Sequence, residues 1–434
     1  MRRSRLAAVA LVAASAPGSI DLAAARLRFE EARAISDKDG GALWGRPLYG
    51  PMLFVDPATR GCVANQADAE GKLSARESVF AGTLPADVSV ANTATRWAGV
   101  HWTMVRWPLP EVNVERKRLL AHELFHRIQD GLGLPLASPE NPHLDTKEGR
   151  ISLRLEMRAL AAALIATGAD RRDAIADALL FRAHRRAQFP GAADDERGLE
   201  MNEGLAEYTG VRLCGAPSAE IAVLLVDALE EAAKKPSFVR SFAYASGPAY
   251  GILLDDTGAA WRKGLTPQSD LGEMLRNAVS LSAPTDAAKT AQARSALYGG
   301  RAIVAEETER DGVRAAREGP LRARLIDGPV LALLPGSRFS YSFDPSEAVA
   351  IQGVGTVYPS MHVSDEWGVL EVSKGALLVQ EKGGGIVRLQ IPAPPDRAAR
   401  PLAGDGWRLD LADGWSLADG SRKGDATVRR KQGP

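Results

Sequence analysis

Two histidines four residues apart, His122 and His126, are the feature that most constrains this chain. On an α-helix, residues at this spacing lie on one face, one turn apart, where two imidazoles can bind the same metal ion. Glu123 lies about 100° around the helix from His122, close enough to reach a water on that metal without binding the metal itself. This His-Glu-x-x-His pattern is typical of zinc hydrolases, whose metal keeps one position open for water. The alternative is a surface helix that carries two histidines by chance, and the rest of the chain must distinguish the two.

The composition favours a large folded protein of two or three domains and argues against two classes of function. Of the 434 residues, 45% are hydrophobic, which is enough for a large core. Lysine plus arginine equals aspartate plus glutamate at 54 each, so the chain lacks the basic excess of a nucleic-acid-binding protein. Because no apolar run reaches about 18 residues, we expect no membrane span in the mature chain.

The first residues have the pattern of a secretory signal peptide. A basic start is followed by an apolar, alanine-rich run, and Ala14-Ser15-Ala16 is typical of a signal peptidase site. We therefore predict a signal peptide over residues 1–16 and a periplasmic or secreted protein. Pro17 disfavours cleavage directly before it, which leaves residues 23–25 as an alternative site. An amphipathic first helix is the alternative to a signal peptide.

Cys62 and Cys214 are the two cysteines of the sequence. In an oxidising compartment they could form one disulfide bond between the N-terminal and the helical region, and two free buried thiols are the alternative. Neither has a Cys-x-x-Cys neighbour, so we do not expect thiol redox chemistry.

Hydrophobic periodicity predicts an α+β chain with four regions after the signal peptide. Residues 17–110 should form an N-terminal α/β part, in which residues 97–107 alternate as a strand that leads directly into the histidine helix. Residues 111–318 have the pattern of a run of helices. Residues 319–424 have the short apolar runs and turns of a small all-β domain, and residues 425–434 the basic, polar composition of a disordered tail.

A later helical segment offers a third metal ligand, because it contains Glu203 and Glu207. At four-residue spacing both carboxylates point to the same side, so one can bind zinc while the other accepts the N–H of a ligand histidine. Glu200, one turn before Glu203, could replace either acid. Glu156 is another alternative, although a salt bridge with an arginine is the more common role of an acid on an apolar helix. The histidines that could also act as ligands are His101, His143, His184 and His362.

These motifs together resemble the gluzincin zinc metallopeptidases, the clan of the thermolysin-like proteases and the aminopeptidase-N-like enzymes. The His-Glu-x-x-His motif is followed at a distance by Asn202-Glu203-x-x-x-Glu207, as in that clan. The resemblance implies that Glu203 is the third zinc ligand and that Glu207 orients a ligand histidine. It also implies a zincin-like metallopeptidase domain, with a small mixed sheet and a mostly helical part, over roughly residues 95–255.

A further likeness concerns Tyr244 and Gly247, which match the Tyr-x-x-Gly of the aminopeptidase-N-like branch. There the tyrosine hydroxyl stabilises the oxyanion of the tetrahedral intermediate, so the resemblance implies this role for Tyr244, with Tyr250 as a second candidate. An ordinary core position is the alternative for either tyrosine. The Gly-x-Met-Glu-Asn motif of that branch does not precede the metal helix, so an anchor for a substrate amino group is not evident.

The resemblance implies a peptidase with one zinc ion held by His122, His126 and Glu203. Glu123 would be the general base for a zinc-activated water that attacks the bonds of a peptide or protein substrate. If residues 97–107 lie at the edge of their sheet, they would align that substrate by strand addition. One alternative is another zinc hydrolase, or a peptidase dedicated to one partner protein. The other is a non-catalytic zinc-binding relative whose β domain binds a partner, and the intact Glu123 argues against it.

Overall fold

Helices and strands are divided between two units of the chain, which confirms the predicted α+β class. The computed structural model describes residues 20–85, 88–282, 286–343, 348–351, 353–381 and 385–431, and the predicted signal peptide lies outside them. The first unit ends at Ile303 and the second begins at Val304. This boundary is earlier than the predicted one between residues 318 and 319, because most of the helix Gly300–Arg322 belongs to the second unit.

The first unit contains a mixed sheet of six strands in the order β3-β4-β2-β1-β6-β5. These strands are β1 (Met52–Val55), β2 (Gly61–Ala64), β3 (Ser74–Arg76), β4 (Val79–Thr83), β5 (Thr93–Trp97) and β6 (Val100–Arg106). β1 and β6 run parallel, and the other neighbouring strands are antiparallel. The small mixed sheet is therefore as predicted, and β1 and β2 form an antiparallel hairpin within it.

The predicted single strand over residues 97–107 is instead a hairpin of β5 and β6. Ala98 and Gly99 have positive φ angles of 48° and 73° and form the two-residue turn between the strands. The edge strand of the sheet is therefore β5, and β6 lies between β1 and β5. The alternation predicted along β6 is confirmed, because Trp102 and Val105 are buried in different clusters on its two faces.

Helices make up most of the rest of the first unit. They are α1 (Leu22–Asp39), α2 (Asn113–Gln129), α3 (Lys147–Ile165), α4 (Gly168–Gln188), α5 (Ala192–Leu199), α6 (Leu205–Leu213), α7 (Ser218–Ala232), α8 (Ala243–Asp256), α9 (Leu271–Ala278) and α10 (Ala287–Arg294), and α11 (Gly300–Arg322) crosses into the second unit. The helical segment that carries Glu203 and Glu207 is divided, because a π-helical turn, Glu200–Gly204, joins α5 to α6. Within the described ranges, no helix is both long and apolar enough to cross a membrane.

Helix α2 lies in the core of the first unit and carries the two histidines. Its apolar face is fully buried, with Leu120 and Leu124 inaccessible to solvent, and it packs against α1, α6, β5 and β6. The N-terminal cap position of this helix is Val112, and no side chain caps it. The Asn113 side chain instead accepts a hydrogen bond from Arg116, which holds it away from the free N–H groups of the first turn.

Both cysteines are free and buried, Cys62 on β2 and Cys214 directly after α6. The structure therefore agrees with the alternative of two buried thiols rather than with a disulfide bond. Burial raises the pKa of the Cys62 thiol to about 11, so this side chain is a neutral thiol at physiological pH.

The second unit contains two sheets that share one core, which confirms the predicted all-β region. The seven-stranded sheet has the order β17-β18-β7-β14-β13-β10-β9, and the five-stranded sheet the order β15-β16-β12-β11-β8. Leu331 and Leu389 of the first sheet are buried in the same cluster as Val363 and Leu370 of the second. The strands are β7 (Val330–Leu333), β8 (Ser340–Phe343), β9 (Val349–Ile351), β10 (Gly355–Tyr358), β11 (Met361–Asp365), β12 (Gly368–Val372), β13 (Ala376–Gln380), β14 (Ile386–Pro392), β15 (Leu402–Gly404), β16 (Trp407–Leu411), β17 (Trp415–Asp419) and β18 (Ala426–Arg430).

The disordered tail predicted over residues 425–434 is wrong for its first part, which forms β18. This strand pairs antiparallel with β17 and parallel with β7. Its basic, polar composition suggested disorder, but its backbone is hydrogen-bonded on both sides and Ala426 is buried. Pairing with strands that are already packed stabilises a segment whose own side chains bury little apolar surface.

Candidate metal centre

Helix α2 brings the two histidines together in a buried position, as their spacing predicts. The Nε2 atoms of His122 and His126 lie 3.1 Å apart, and the side chain of each is 7% exposed. Together with Glu123 they form a buried group whose ligand atoms all lie within 4.8 Å of one another, and such a group could hold a metal ion.

The π-helical turn brings the carboxylate of Glu203 to the same place. Its Oε2 atom lies 3.6 Å from His122 Nε2 and 3.4 Å from His126 Nε2. Ligands about 2.05 Å from a tetrahedral zinc ion are about 3.3 Å from one another, so these three atoms form a triangle of the size that zinc requires. Glu123 Oε1 is farther from His122 Nε2, at 3.9 Å, and fits this triangle less well.

Hydrogen bonds on the far side of each imidazole orient its Nε2 atom towards this triangle. His122 Nδ1–H donates to Glu207 Oε2 over 2.8 Å, and Glu207 also accepts from Arg118. His126 Nδ1–H donates to Gln129 Oε1 over 2.9 Å. Such partners fix the tautomer of a ligand histidine and increase its basicity. The structure thus places Glu207 where the resemblance implies.

Three supporting residues around the centre were missed by the sequence reasoning. Gln129 orients His126, Asn202 accepts from the Gln129 amide over 3.1 Å, and Arg118 pairs with Glu207. Gln129 lies three residues after His126 and Arg118 four residues before His122, so the helical spacing was the signal that could have identified both. Asn202 is fixed in turn by donation to the Ala137 carbonyl over 2.7 Å.

Glu123 is buried beside the triangle, and one of its two carboxylate oxygens has no hydrogen-bond partner among the described residues. The Oε2 atom has no partner among the residues that the structure describes, and the residue is 3% exposed. Burial raises the pKa of Glu123, although His122 and His126 oppose this, and Glu203 and Glu207 add to it. A buried carboxylate with a raised pKa and a free oxygen is suited to accepting a proton, since unpaired buried acids are otherwise costly.

The acids around His122 decide its charge in the metal-free chain. Burial alone would lower the pKa of His122, but hydrogen bonds to Glu203 and Glu207 and the charge of Glu123 outweigh it and raise the pKa to about 10. Burial would likewise raise the pKa of Glu203, but hydrogen bonds with both histidines and Tyr244 hold it below its usual range. The metal-free centre is therefore a protonated imidazole held among carboxylates at neutral pH.

Binding of zinc to the wild-type chain is expected to release at least one proton at pH 7 to 9. His122 carries a proton on both nitrogens below a pKa of about 10, and a metal must replace the one on Nε2. The apparent zinc affinity should therefore rise about tenfold per pH unit in this range. Calorimetry in two buffers with different heats of ionisation measures the released protons. Zinc binding without proton release would contradict this account of the centre.

Tyr244 lies beside the histidines, as the role of oxyanion donor implied by the resemblance requires. Its ring is stacked on that of His122, with centroids 5.8 Å apart and an angle of 6° between the planes. Burial and the nearby Glu203 carboxylate raise the pKa of Tyr244 above its usual value. The second candidate, Tyr250, is wrong, because its hydroxyl is buried elsewhere and donates to Glu156 Oε1 over 2.7 Å.

The alternative acidic ligands lie in a separate group of buried charged residues, here called the buried charge cluster, which contains Glu156, Arg182, Arg185, Glu196 and Glu200. Glu156 pairs with Arg185 and Arg182, which is the salt-bridge role that the sequence favoured for it. Glu200 pairs with Arg182 and faces away from the histidines, although it belongs to the same π-helical turn as Glu203. Neither acid is therefore in a position to bind the metal of this centre.

The alternative histidines also lie outside the centre. His143 Nε2 is 2.9 Å from Glu196 Oε1 in the buried charge cluster. His184 lies on α4, where burial lowers its pKa, and His101 lies on β6 with its pKa lowered by burial and by nearby arginines. His362 belongs to β11 of the second unit.

A cleft of about 850 Å³ opens onto the metal centre. Ser89, Ala91, Asn92, Thr93 and Thr95 line one wall of the cleft. This segment runs into the edge strand β5, and in the described part of the chain no strand pairs with β5 on the side away from β6. The cleft is therefore bordered by the edge of a sheet, which is β5 rather than the predicted strand over residues 97–107.

No family model, curated protein or solved structure matches the chain in comparisons with each of these three groups.

Proposed function

We propose that the chain is a periplasmic or secreted zinc-dependent peptidase with a zincin-like fold in its first unit. His122, His126 and Glu203 would hold one zinc ion, Glu207 and Gln129 would orient the two histidines, and the substrate would be a peptide or protein. The observation that carries this proposal is the triangle of ligand atoms, with sides of 3.1, 3.4 and 3.6 Å, beside the unpaired oxygen of Glu123.

The proposed chemistry assigns one task to each residue that faces the cleft. When bound, zinc supplies Lewis acidity, which lowers the pKa of water and polarises a carbonyl group. Glu123 accepts the proton of the attacking water and passes it to the leaving nitrogen, for which its unpaired oxygen and raised pKa are suited. Tyr244 lines the cleft, and its hydroxyl donates to the carbonyl oxygen as negative charge develops.

The edge strand β5 supports a peptide as the substrate. An extended peptide can add to the free edge of a sheet by backbone hydrogen bonds, which position it without regard to its sequence. Because the residues that precede and form β5 line the cleft, a peptide bound along this edge would pass the metal centre. A peptide is therefore favoured over a small ester or amide, since a small substrate would make no use of the strand.

Metal analysis of the purified chain together with digestion of a peptide library tests this proposal. We expect about one zinc ion per chain and cleavage of peptides that stops when a chelator removes the metal and returns when zinc is restored. Bound zinc without cleavage of any peptide would instead favour the non-catalytic, partner-binding alternative. A chain that binds no zinc would contradict both.

The variant Tyr244→Phe is expected to bind zinc normally and to hydrolyse peptides about 100- to 1,000-fold more slowly, in kcat rather than in KM. The tyrosine hydroxyl is not one of the three ligand atoms, but it is a donor for the developing oxyanion, and loss of one such donor has effects of this size. Steady-state kinetics with a cleaved library peptide, and zinc content as the control, measure the effect. Unchanged kcat would remove Tyr244 from the proposed mechanism.

A further inference from the structure

The segment from α5 to α6 carries four glutamates that a regular helix would place on one face. Glu196, Glu200, Glu203 and Glu207 would lie within a sector of about 60° on a continuous α-helix, because each residue adds 100°. In the structure these side chains are divided between two sites. Glu203 and Glu207 contact the histidines of α2, whereas Glu196 and Glu200 lie in the buried charge cluster.

In the buried charge cluster, Glu196 and Glu200 each accept hydrogen bonds from an arginine. Arg182 Nη1 donates to Glu200 Oε1 over 2.8 Å, and Arg185 Nε donates to Glu196 Oε1 over 2.7 Å. Glu196 and Glu200 are both completely buried, so the pairing must be maintained in the folded chain. None of these four residues is a ligand in the proposed metal centre.

The π-helical turn is what allows one segment to serve both sites. A π turn contains one residue more than an α turn, so it rotates the following helix face by about 100° relative to the preceding one. The turn begins at Glu200 and contains Glu203. If this turn relaxed to α-helical geometry, Glu203 would rotate away from the histidines, or Glu200 would leave its arginine.

Two contacts connect this turn with the helix that carries Tyr244. Ser246 Oγ donates to Glu200 Oε1 over 3.0 Å. Gly204 and Gly247 are in backbone contact, since a Cβ atom on Gly247 would lie 2.4 Å from the Gly204 Cα. The turn and α8 are thereby held together where Glu203 of the turn and Tyr244 of α8 line the same cleft. This close approach is a physical reason for glycine in the Tyr-x-x-Gly motif.

We propose that Glu200 is a positioning residue of the metal centre, and that its pairing with Arg182 and Ser246 keeps the π-helical turn in the form that presents Glu203 to the metal. This inference rests on the proposed metal centre. Glu200 acts through the backbone of the turn, so its loss should affect the geometry and affinity of metal binding in a chain that is still folded.

The variant Glu200→Gln tests this role with Zn²⁺ alone as the probe. The amide can still accept from Ser246, but the ion pair with Arg182 is lost, while Arg182 keeps Glu156 and Asp270 as partners. We expect a 10- to 100-fold loss of zinc affinity, the range found for residues that support metal ligands, measured by competition with a chromophoric chelator. The visible absorption of the Co²⁺-substituted variant should also differ from that of the wild type.

Asp177→Asn is the matched control, because Asp177 is a buried acid of α4 that pairs with Arg294 and Tyr298 and makes no contact with the π turn. It should lower the melting temperature but leave zinc affinity and the Co²⁺ spectrum unchanged. If Glu200→Gln does not fold, Ser246→Ala replaces it, with an expected loss of about tenfold in zinc affinity.

Wild-type zinc affinity in a folded Glu200→Gln or Ser246→Ala variant would overturn the positioning role alone. An equal loss in Asp177→Asn would also overturn it, because the effect would then follow general destabilisation. A wild-type chain without zinc affinity would overturn the metal centre, and with it this inference.

Discussion

Glu123→Gln is expected to bind zinc and to hydrolyse peptides about 100- to 10,000-fold more slowly than the wild type, the range over which a positioned general base contributes. Glutamine has the shape of glutamate but cannot accept and pass on the proton of the attacking water. Zinc should be retained, because the triangle of His122, His126 and Glu203 does not include this side chain. The kcat for a library peptide and the zinc content of the same preparation measure both effects.

The free energy of unfolding of Glu123→Gln provides a second test of the role of Glu123. The pKa of Glu123 is raised in the folded chain, so its ionised form is less favourable there than in the unfolded chain, and above that pKa it lowers the free energy of unfolding. At neutral pH the metal-free Glu123→Gln chain should therefore be at least as stable as the metal-free wild type. Gln129→Ala is the contrasting control, since it removes a hydrogen-bonded partner and should destabilise. Full peptidase activity in Glu123→Gln would exclude Glu123 as the base.

Glu203→Ala is expected to lower zinc affinity by more than about 100-fold, which is the upper end of the effect of supporting residues. The variant loses the oxygen that completes the ligand triangle, and two imidazoles alone bind zinc weakly. Arg240, which donates to Glu203 over 3.2 Å in the wild type, would lose its acidic partner in the variant. Competition with a chromophoric chelator measures the affinity.

Glu115→Ala is the matched control for this variant. Glu115 also lies on the wall of the cleft and carries the same charge, but it is not among the ligand atoms of the centre. If the effect of Glu203→Ala came only from the loss of a negative charge in the cleft, both variants should lose a similar fraction of zinc affinity. Near-wild-type affinity in Glu203→Ala would show that another group completes the centre.

The parts of the site that depend on local spacing could be predicted from the sequence. His122 and His126 share a face because four residues make about one helical turn, and Glu203 and Glu207 do so for the same reason. Packing of α2 in the core could also be predicted, since Leu120 and its neighbours recur at helical spacing. These features need no knowledge of which distant segments meet.

The parts that depend on distant segments could not be predicted. The sequence around Glu200 has helical periodicity, and the π-helical turn differs from an α-helix by a single residue. The turn is in contact with Arg182 of another helix, and its Gly204 contacts Gly247. Spacing within one helix does not reveal either contact. Likewise the pairing of β18 with β7 depends on strands that are far apart in the chain.

The turn between β5 and β6 could not be predicted from the sequence pattern. Ala98 and Gly99 lie within residues 97–107, whose side chains alternate like those of one strand. Alanine also rarely adopts the positive φ angle that the turn requires. The hairpin moves the edge of the sheet from the predicted strand to β5, which lines the cleft. The proposed substrate-binding edge is therefore made by residues that the sequence pattern did not single out.

A crystal of the zinc-loaded chain, with anomalous diffraction recorded on both sides of the zinc absorption edge, tests the central claim most directly. We expect one anomalous peak within about 2.0–2.2 Å of His122 Nε2, His126 Nε2 and a carboxylate oxygen of Glu203. A zinc ion bound elsewhere, or bound at the two histidines with Glu123 in place of Glu203, would contradict it.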